Sequence, residues 1–362
     1  MKIALIGDIA LFGKFSVKNN PRLPDQLQEL SRYLSGFDYV IGNLEVPFSV
    51  RKKPYGAKSA FLCSDPENID ILTLLNISAV SLANNHMFDF GREGLGTTIR
   101  LLDEKGIRWF GINGKDFKIE KEGNRISVNG FCCYSSNPQG LSSRLGKRGL
   151  NAIRGHEVEQ LIEENHKNGW LNIISVHSGT EHVSGPSLEQ IRLSRKLAEK
   201  ASYVWHGHHP HVVQGIDEYK DSIIAHSLGN FLFSDFHGDR LCPPLQLTEE
   251  NRTGMIVELD IEKNRIKEYG IKFIRMGEAG NISIREDDDL KERYSEILSR
   301  AHSEPENYRL ERTRQREEYL RGRREMRDLK WVIRHLRPRY VRLILDYRKN
   351  RKKYHKAIRR HI

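Results

Sequence analysis

Over the first 230 positions the apolar residues fall in short runs, and each run ends in polar residues. "KIALIGD" closes at Asp8, "FDYVIGNLE" at Asn43 and Glu45, and "ISAVSLANNH" at Asn84, Asn85 and His86. "LNIISVH" closes at His177, "SYVWHGHHPH" in a cluster of histidines, and "SIIAHSLGN" at Asn230. Short apolar runs with little alternation predict strands buried on both faces. Helical patterns separate them. Residues 24–36, 92–106, 156–169 and 187–201 each read as a helix, and "DPENIDILTLLN" has Asp65 placed as an N-cap with Pro66 at the first helical position. Strands alternating with helices predict an α/β layered fold. From about residue 212 to 275, strand-like runs follow one another with little helix between them, which predicts an antiparallel portion. No internal repeat is visible.

After about residue 288 the pattern changes. "REDDDLKERYSEILSRAH" and "ENYRLERTRQREEYLRGRREMRDLK" read as solvated, weakly amphipathic helices. Charge then alters the picture. Of the net +11, all is held by residues 331–362, which carry twelve Lys/Arg against one acid, Asp346, so the rest of the chain is neutral. Arguments from basicity therefore apply to the tail alone. Pro338 should start or kink a last helix from about Arg339. Val341, Ile344, Leu345 and Tyr347 would form an apolar stripe on it, surrounded by Arg342, Arg348, Lys349, Lys352, Lys353, Lys356, Arg359 and Arg360. The aliphatic content and the lack of a known motif disfavour nucleic acid as partner. Contact with an anionic membrane face fits better, with Arg342, Arg348, Lys352, Lys353 and Lys356 as the contact residues.

No stretch approaches the roughly 20 apolar residues of a membrane span. The N-terminal run is interrupted by Gly7 and Asp8 and reads as a buried first strand rather than a signal peptide. Cys63, Cys132, Cys133 and Cys242 lack C-x-x-C spacing and read as reduced thiols of a cytoplasmic protein, peripheral on the inner membrane face through its tail. Cys132 and Cys133, if in a strand, would point to opposite faces.

The chemistry lies at the strand ends, where layered α/β folds bind ligands. Taken singly, each residue there has a plain reading. Asp8 could be a cap, Glu45 a loop carboxylate before Pro47, His86 part of an Asn-rich turn, and His177 a satisfied core histidine. His206 and His208 read as exposed or supporting residues. Six strand ends supplying carboxylate, amide and imidazole are harder to explain by packing. That set suits a divalent metal such as Mn, Fe or Zn. His209 and His211 have strand-like spacing across Pro210, which would set both rings on one side.

These same segments carry a family resemblance. "GDIALFGK", "GNLEVPFS", "SLANNHMFDFGREGLGTTIRLLDEKGI", "VHSGTEH", "GHHPHVVQGIDEY" and "IAHSLGNFLFSD" occur in that order. They resemble the CapA family of bacterial capsule synthesis proteins, whose best-known members serve poly-γ-glutamate capsule production. That family is similar in fold to calcineurin-like metallophosphoesterases, a two-sheet sandwich flanked by helices. The resemblance covers about residues 1–235. It implies a domain of that fold over 1–285, followed by a charged helical extension over 286–362 with a basic amphipathic tail.

The resemblance also implies roles. Asp8, Asn43, Glu45, Asn85, His177, His209 and His211 would be the metal residues, holding one or two ions. His86 would be the catalytic, phosphate-facing histidine, oriented by Asp89. Asn84, Glu181, His208 and Asn230 would support them or meet substrate. Ala10 stands where phosphoesterases have a histidine, which leaves one metal position poorer in ligands. "HSGTEH" replaces a more aromatic pattern, so contacts near Ser178 and His182 should differ. The expected function is metal-dependent hydrolysis or transfer on a phosphate ester or anionic polymer in capsule or surface-polymer biosynthesis. The rival is a non-catalytic binding or assembly factor of a capsule-synthesis complex.

Overall fold

In this computed structural model, residues 1–50, 53–56, 58–140, 149–236, 244–325 and 338–359 are described. The expectations for Cys242, Arg360 and the first residues of the tail, 331–337, lie outside them. Two sheets are layered between helices. In the first, β1 (Lys2–Ile9), β2 (Tyr39–Leu44), β3 (Ile77–Ser81) and β4 (Arg108–Phe110) run parallel in that order. On the other edge of β1, β12 (Thr253–Glu262) pairs antiparallel along its first half and β11 (Asn230–Leu232) pairs parallel at its end. β13 (Arg265–Met276) and β14 (Ile282–Arg285) extend the antiparallel side expected from residues 212–275. The second sheet has the order β5 (Phe117–Lys121), β6 (Asn124–Cys132), β7 (Leu171–His177), β8 (Tyr203–His208), β10 (Ser222–Leu228), β9 (Val213–Tyr219).

The unbroken apolar runs follow from burial on both faces. Along β1, Ile3 and Leu5 enter the core between the sheets, with Ile41, Ile173, Val204 and Val257. Ala4 and Ile6 point the other way and pack with Leu30, Leu34 and Leu102. Those leucines belong to α2 (Gln28–Leu34) and α4 (Gly91–Glu104), which lie with α1 (Leu23–Gln26) and α3 (Ile69–Leu74) on that side. α5 (Gly155–Lys167) and α6 (Leu188–Ala198) cover the outer face of the second sheet through Val158, Ile162, Leu193 and Leu197. Cys132 and Cys133 do fall into the two opposite cores, and with Cys63 they are free thiols.

Two local expectations are corrected. Asp65 makes no side-chain cap; its backbone is extended and leads into a 3-10 turn, Pro66–Asn68, before α3. Side-chain caps do form at α6, where Ser187 and Gln190 make a reciprocal capping box, and at the helix from Asp288, where Asp287 accepts from Leu290 N.

The helices after residue 285 are not solvated on all sides. α7 (Asp288–Ser303) buries Tyr294, Leu298 and Ala301. α8 (Pro305–Glu325) is held by Tyr308 Oη, which donates to Pro186 O at 2.7 Å, and by Arg312 Nε, which donates to Gly185 O at 2.9 Å. The last helix, α9, starts at the proline (Pro338–Tyr354) and ends in a π turn, His355–Arg359. Ala357 and Ile358 of that turn enter the core beside α5 and α6, and Arg359 pairs with Glu189 at 2.9 Å. Lys353 is turned to the body, its Nζ 5.4 Å from the Tyr134 ring centre, so it leaves the outward-facing basic set. Among the described residues, no helix is long and apolar enough to cross a membrane.

Candidate metal centre

Strand register assembles the site. In β1, Asp8 is paired with Asn43 of β2 on one side and Asn230 of β11 on the other. In the second sheet, His177 is paired with His208. The carboxyl ends of both sheets thus meet at Asp8. The preceding residue must be small: a Cβ on Gly7 would sit 2.1 Å from Gly229 O, so the "GD" pair lets the β10–β11 connection approach.

Asp8 and Glu45 are completely buried and lie side by side. Asn43 Nδ2 donates to both, at 2.8 Å to Asp8 Oδ1 and 2.7 Å to Glu45 Oε2, while its oxygen accepts from Asn84 Nδ2 at 3.2 Å. As placed, Asn43 brackets the two carboxylates and turns its oxygen away from them. His177 Nδ1 lies 3.5 Å from Glu45 Oε2, and its Nε2 donates to Asn85 Oδ1 at 2.9 Å. Potential ligand atoms of Asp8, Glu45 and His177 lie within 4.8 Å of one another.

The histidine cluster closes the site. The His209 and His177 ring centres are 4.7 Å apart, and those of His209 and His211 are 6.1 Å apart. The strand-like geometry expected for His209–Pro210–His211 is corrected. β8 ends at His208, and both residues sit in a turn with positive φ, 98° and 58°. Such backbone costs a non-glycine residue about 1–3 kcal/mol and recurs at functional sites. It lets His209 donate its backbone N–H to Asp8 Oδ2 at 3.2 Å. His211 Nδ1 donates to Asn230 Oδ1 at 2.9 Å, and Asn230 Nδ2 in turn donates to Asn251 O at 3.0 Å. His206 is buried, not exposed, with Nε2 donating to Ile6 O at 2.8 Å. His208 is buried too, its Nδ1 3.1 Å from Asp8 Oδ1 but out of hydrogen-bond alignment.

Several buried polar atoms around the carboxylates have no hydrogen-bond partner: Glu45 Oε1, His208 Nε2 and His209 Nδ1. Buried polar atoms are normally satisfied, and a bound ligand would account for this group. The charges agree. Burial alone would raise Asp8, but its neighbours His208 and His211 and the Asn43 amide hold it below the usual carboxylate range. Burial, and then the Asp8 charge, push Glu45 well above it. Burial depresses His177 strongly and brings His209 down to about 4. Two buried carboxylates, one with its pKa pushed up by burial and by the other's charge, beside imidazoles whose pKa values burial lowers, fit a divalent cation, which would offset their charge and satisfy the orphan lone pairs.

Beside this cluster is His86. Asp89 Oδ2 lies 2.7 Å from His86 Nδ1 and also accepts from Leu62 N at 2.8 Å. Asn84 Oδ1 accepts from the backbone of His86 and Met87 and fixes the turn. Sequence reasoning missed Lys58. Its buried Nζ donates to Asp89 Oδ1 at 2.6 Å and to Asn85 O at 2.8 Å, and lies 3.1 Å from His86 Nδ1. With Nδ1–H held by Asp89, His86 Nε2 is left as the ring's lone-pair nitrogen, free to take a proton. Burial and the Lys58 charge lower the His86 pKa, so the ring is neutral at pH 7. Asn251 was also missed. It reaches His182 Nδ1 at 3.0 Å and His211 O at 2.9 Å. His182 stacks on Tyr319 of α8 with ring centres 4.1 Å apart, and Tyr319 Oη donates to Glu181 Oε2 at 3.2 Å. Neither Lys58 nor Asn251 ends an apolar run, so the pattern that marked the other residues gave no signal for them.

A family described as bacterial capsule synthesis protein PGA_cap matches residues 2–235. The capsule biosynthesis protein CapA of Bacillus anthracis is 29% identical over 247 residues, covering 64% of this chain and 60% of its own. The chain therefore spans less than two thirds of that relative. The PGA biosynthesis protein CapA of Bacillus subtilis (strain 168) is 24% identical over 297 residues, covering 79% of this chain and 74% of its own. Among solved structures, the sulfate thiohydrolase SoxB of Thermus thermophilus aligns over 78% of this chain and 46% of its own at 11% identity with a TM-score of 0.39, too low to carry an argument.

Proposed function

The chain belongs to the family of bacterial capsule synthesis proteins, and from that premise we propose that it is a metal-dependent hydrolase or transferase acting on a phosphate ester or anionic polymer in capsule assembly. The observation that carries this reading is the buried Asp8–Glu45 pair facing neutral imidazoles with unsatisfied atoms. A Mn, Fe or Zn ion held by Asp8, Glu45 and His177, with Asn85, His209 and His211 around them, would polarise a phosphoryl or carbonyl oxygen. Asn43 keeps the two carboxylates converged. Asp89 fixes the ring of His86, and His86 Nε2 takes or gives a proton at the reacting oxygen. Lys58 sets positive charge behind that ring and favours an anionic substrate.

The test is turnover of a generic phosphodiester, bis(p-nitrophenyl) phosphate, by chelator-stripped protein with Mn²⁺ added back. Hydrolysis that depends on Mn²⁺ is expected. The second reading, a non-catalytic binding or assembly factor, has one observation in its favour: a buried Ala10 occupies the place of a phosphoesterase histidine. Protein that binds Mn²⁺ but hydrolyses nothing would select it.

We also place the protein on the anionic cytoplasmic membrane surface. α9 exposes Val341, Ile344, Leu345 and Tyr347 next to Arg342, Arg348 and Lys352. Because Ala357 and Ile358 belong to the core, deleting the tail would open the body, and substitutions are the better test. Replacing Arg342, Arg348 and Lys352 by Gln should weaken binding to phosphatidylglycerol vesicles by about 3 kcal/mol at low salt, about 1 per cation. Equal co-sedimentation of both forms, or binding indifferent to salt, would exclude the membrane role.

A further inference from the structure

Beside the candidate centre lies a cavity of about 1360 Å³ whose two ends differ in chemistry. Its inner end holds Asn85, His86, His211 and Asn230. Part of its wall is apolar, with Phe12, Leu62, Phe233, Leu245, Leu343 and Ile344 among polar and charged residues. Leu343 and Ile344 come from α9, so the helix with the exposed apolar stripe and basic flanks also borders the cavity. The acids Glu250 and Glu311 on the lining are matched by Arg293 and Arg300 at 2.6 and 2.8 Å. Glu181, Glu296 and Glu318 also line the cavity, so an anionic head would be held at Lys58 and the histidines rather than by the lining as a whole.

We propose that this cavity binds an amphiphile: an anionic phosphate head at the His86–His211 end and a hydrocarbon chain along the wall completed by Leu343 and Ile344. The proposal rests on the metal-centre reading for the head and adds the chain. A small polar substrate would need no apolar wall of this extent, since buried hydrocarbon is what such a surface stabilises. A helix that carries both the membrane-type face and two wall residues sets the mouth of the cavity where a lipid-phosphate would leave a bilayer.

The experiment is calorimetric titration of the full chain, loaded with Mn²⁺, using inorganic phosphate, butyl phosphate and octyl phosphate below its micellar concentration. A fully buried methylene strengthens binding about fourfold, so octyl phosphate should bind at least roughly thirtyfold tighter than butyl phosphate. Leu343→Asp with Ile344→Asp, at positions on the outer helix, should bring octyl phosphate close to butyl phosphate and leave inorganic phosphate unchanged. Equal affinity for the two esters in the unaltered protein overturns the amphiphile and leaves the metal centre standing. So does a chain gain that survives the double substitution, or octanol binding as tightly as octyl phosphate. Failure of all three phosphates to bind overturns both readings.

Discussion

Asp8→Ala should empty the centre, with bound divalent metal falling at least tenfold below the unaltered protein. Asp8 is the residue on which the two sheets converge. It lies 3.1 Å from His208, accepts the Asn43 amide at 2.8 Å and the His209 backbone at 3.2 Å, and is fully buried. Glu45 is the second carboxylate of the proposed ligand set, held beside Asp8 by the same Asn43 amide, so it does not take Asp8's place when Asp8 is removed. Stability should separate the two proteins further. A ligand present at a hundred times its Kd stabilises the folded state by about 2.7 kcal/mol. The unaltered protein should show a gain of that order on addition of Mn²⁺, and Asp8→Ala should show none. Thermal denaturation with and without the ion, alongside elemental analysis, measures both effects. Equal metal content in the two proteins would remove Asp8 from the ligand set.

His86→Ala should lower turnover by about 10²–10⁴-fold, the usual contribution of a positioned general acid or base, while metal content stays within about twofold. The split follows from geometry. His86 is tied to Asp89 and lies by Lys58, and it lines the cavity, whereas the buried carboxylates group with His177. Asp89→Asn should fall between, because it keeps the shape but changes which proton the ring's Nδ1 side can hold. If His86→Ala turns over substrate like the unaltered protein, the proton-transfer role assigned to Nε2 is wrong.

Much of the centre was legible because it sits at strand ends. Asp8, Asn43, Glu45, His177 and His208 each follow a buried apolar run; register pairs Asp8 with Asn43 and His177 with His208, and the packing of the two sheets brings the pairs together. Lys58 was not legible. It comes from a loop and is bound to Asn85, His86 and Asp89 only by tertiary contacts. The turn at His209 and His211 was misread because Pro210 suggested an extended segment, whereas positive φ at both residues bends the chain and brings the His209 backbone to Asp8. α8 was misread as solvated because its inner face is built from Tyr308, Arg312, Gln315 and Tyr319. These residues have helical spacing but pack through hydroxyl, guanidinium, amide and ring contacts rather than aliphatic burial. A hydrophobicity pattern cannot register a face of that kind.

The most direct test of the central claim is elemental analysis of protein purified without chelator, paired with thermal denaturation after addition of Mn²⁺, Zn²⁺ or Fe²⁺. A buried carboxylate pair among neutral imidazoles predicts roughly one to two divalent ions per chain and a raised Tm for the metal the site prefers. Protein free of metal, with a Tm unmoved by any of the three ions, would contradict it.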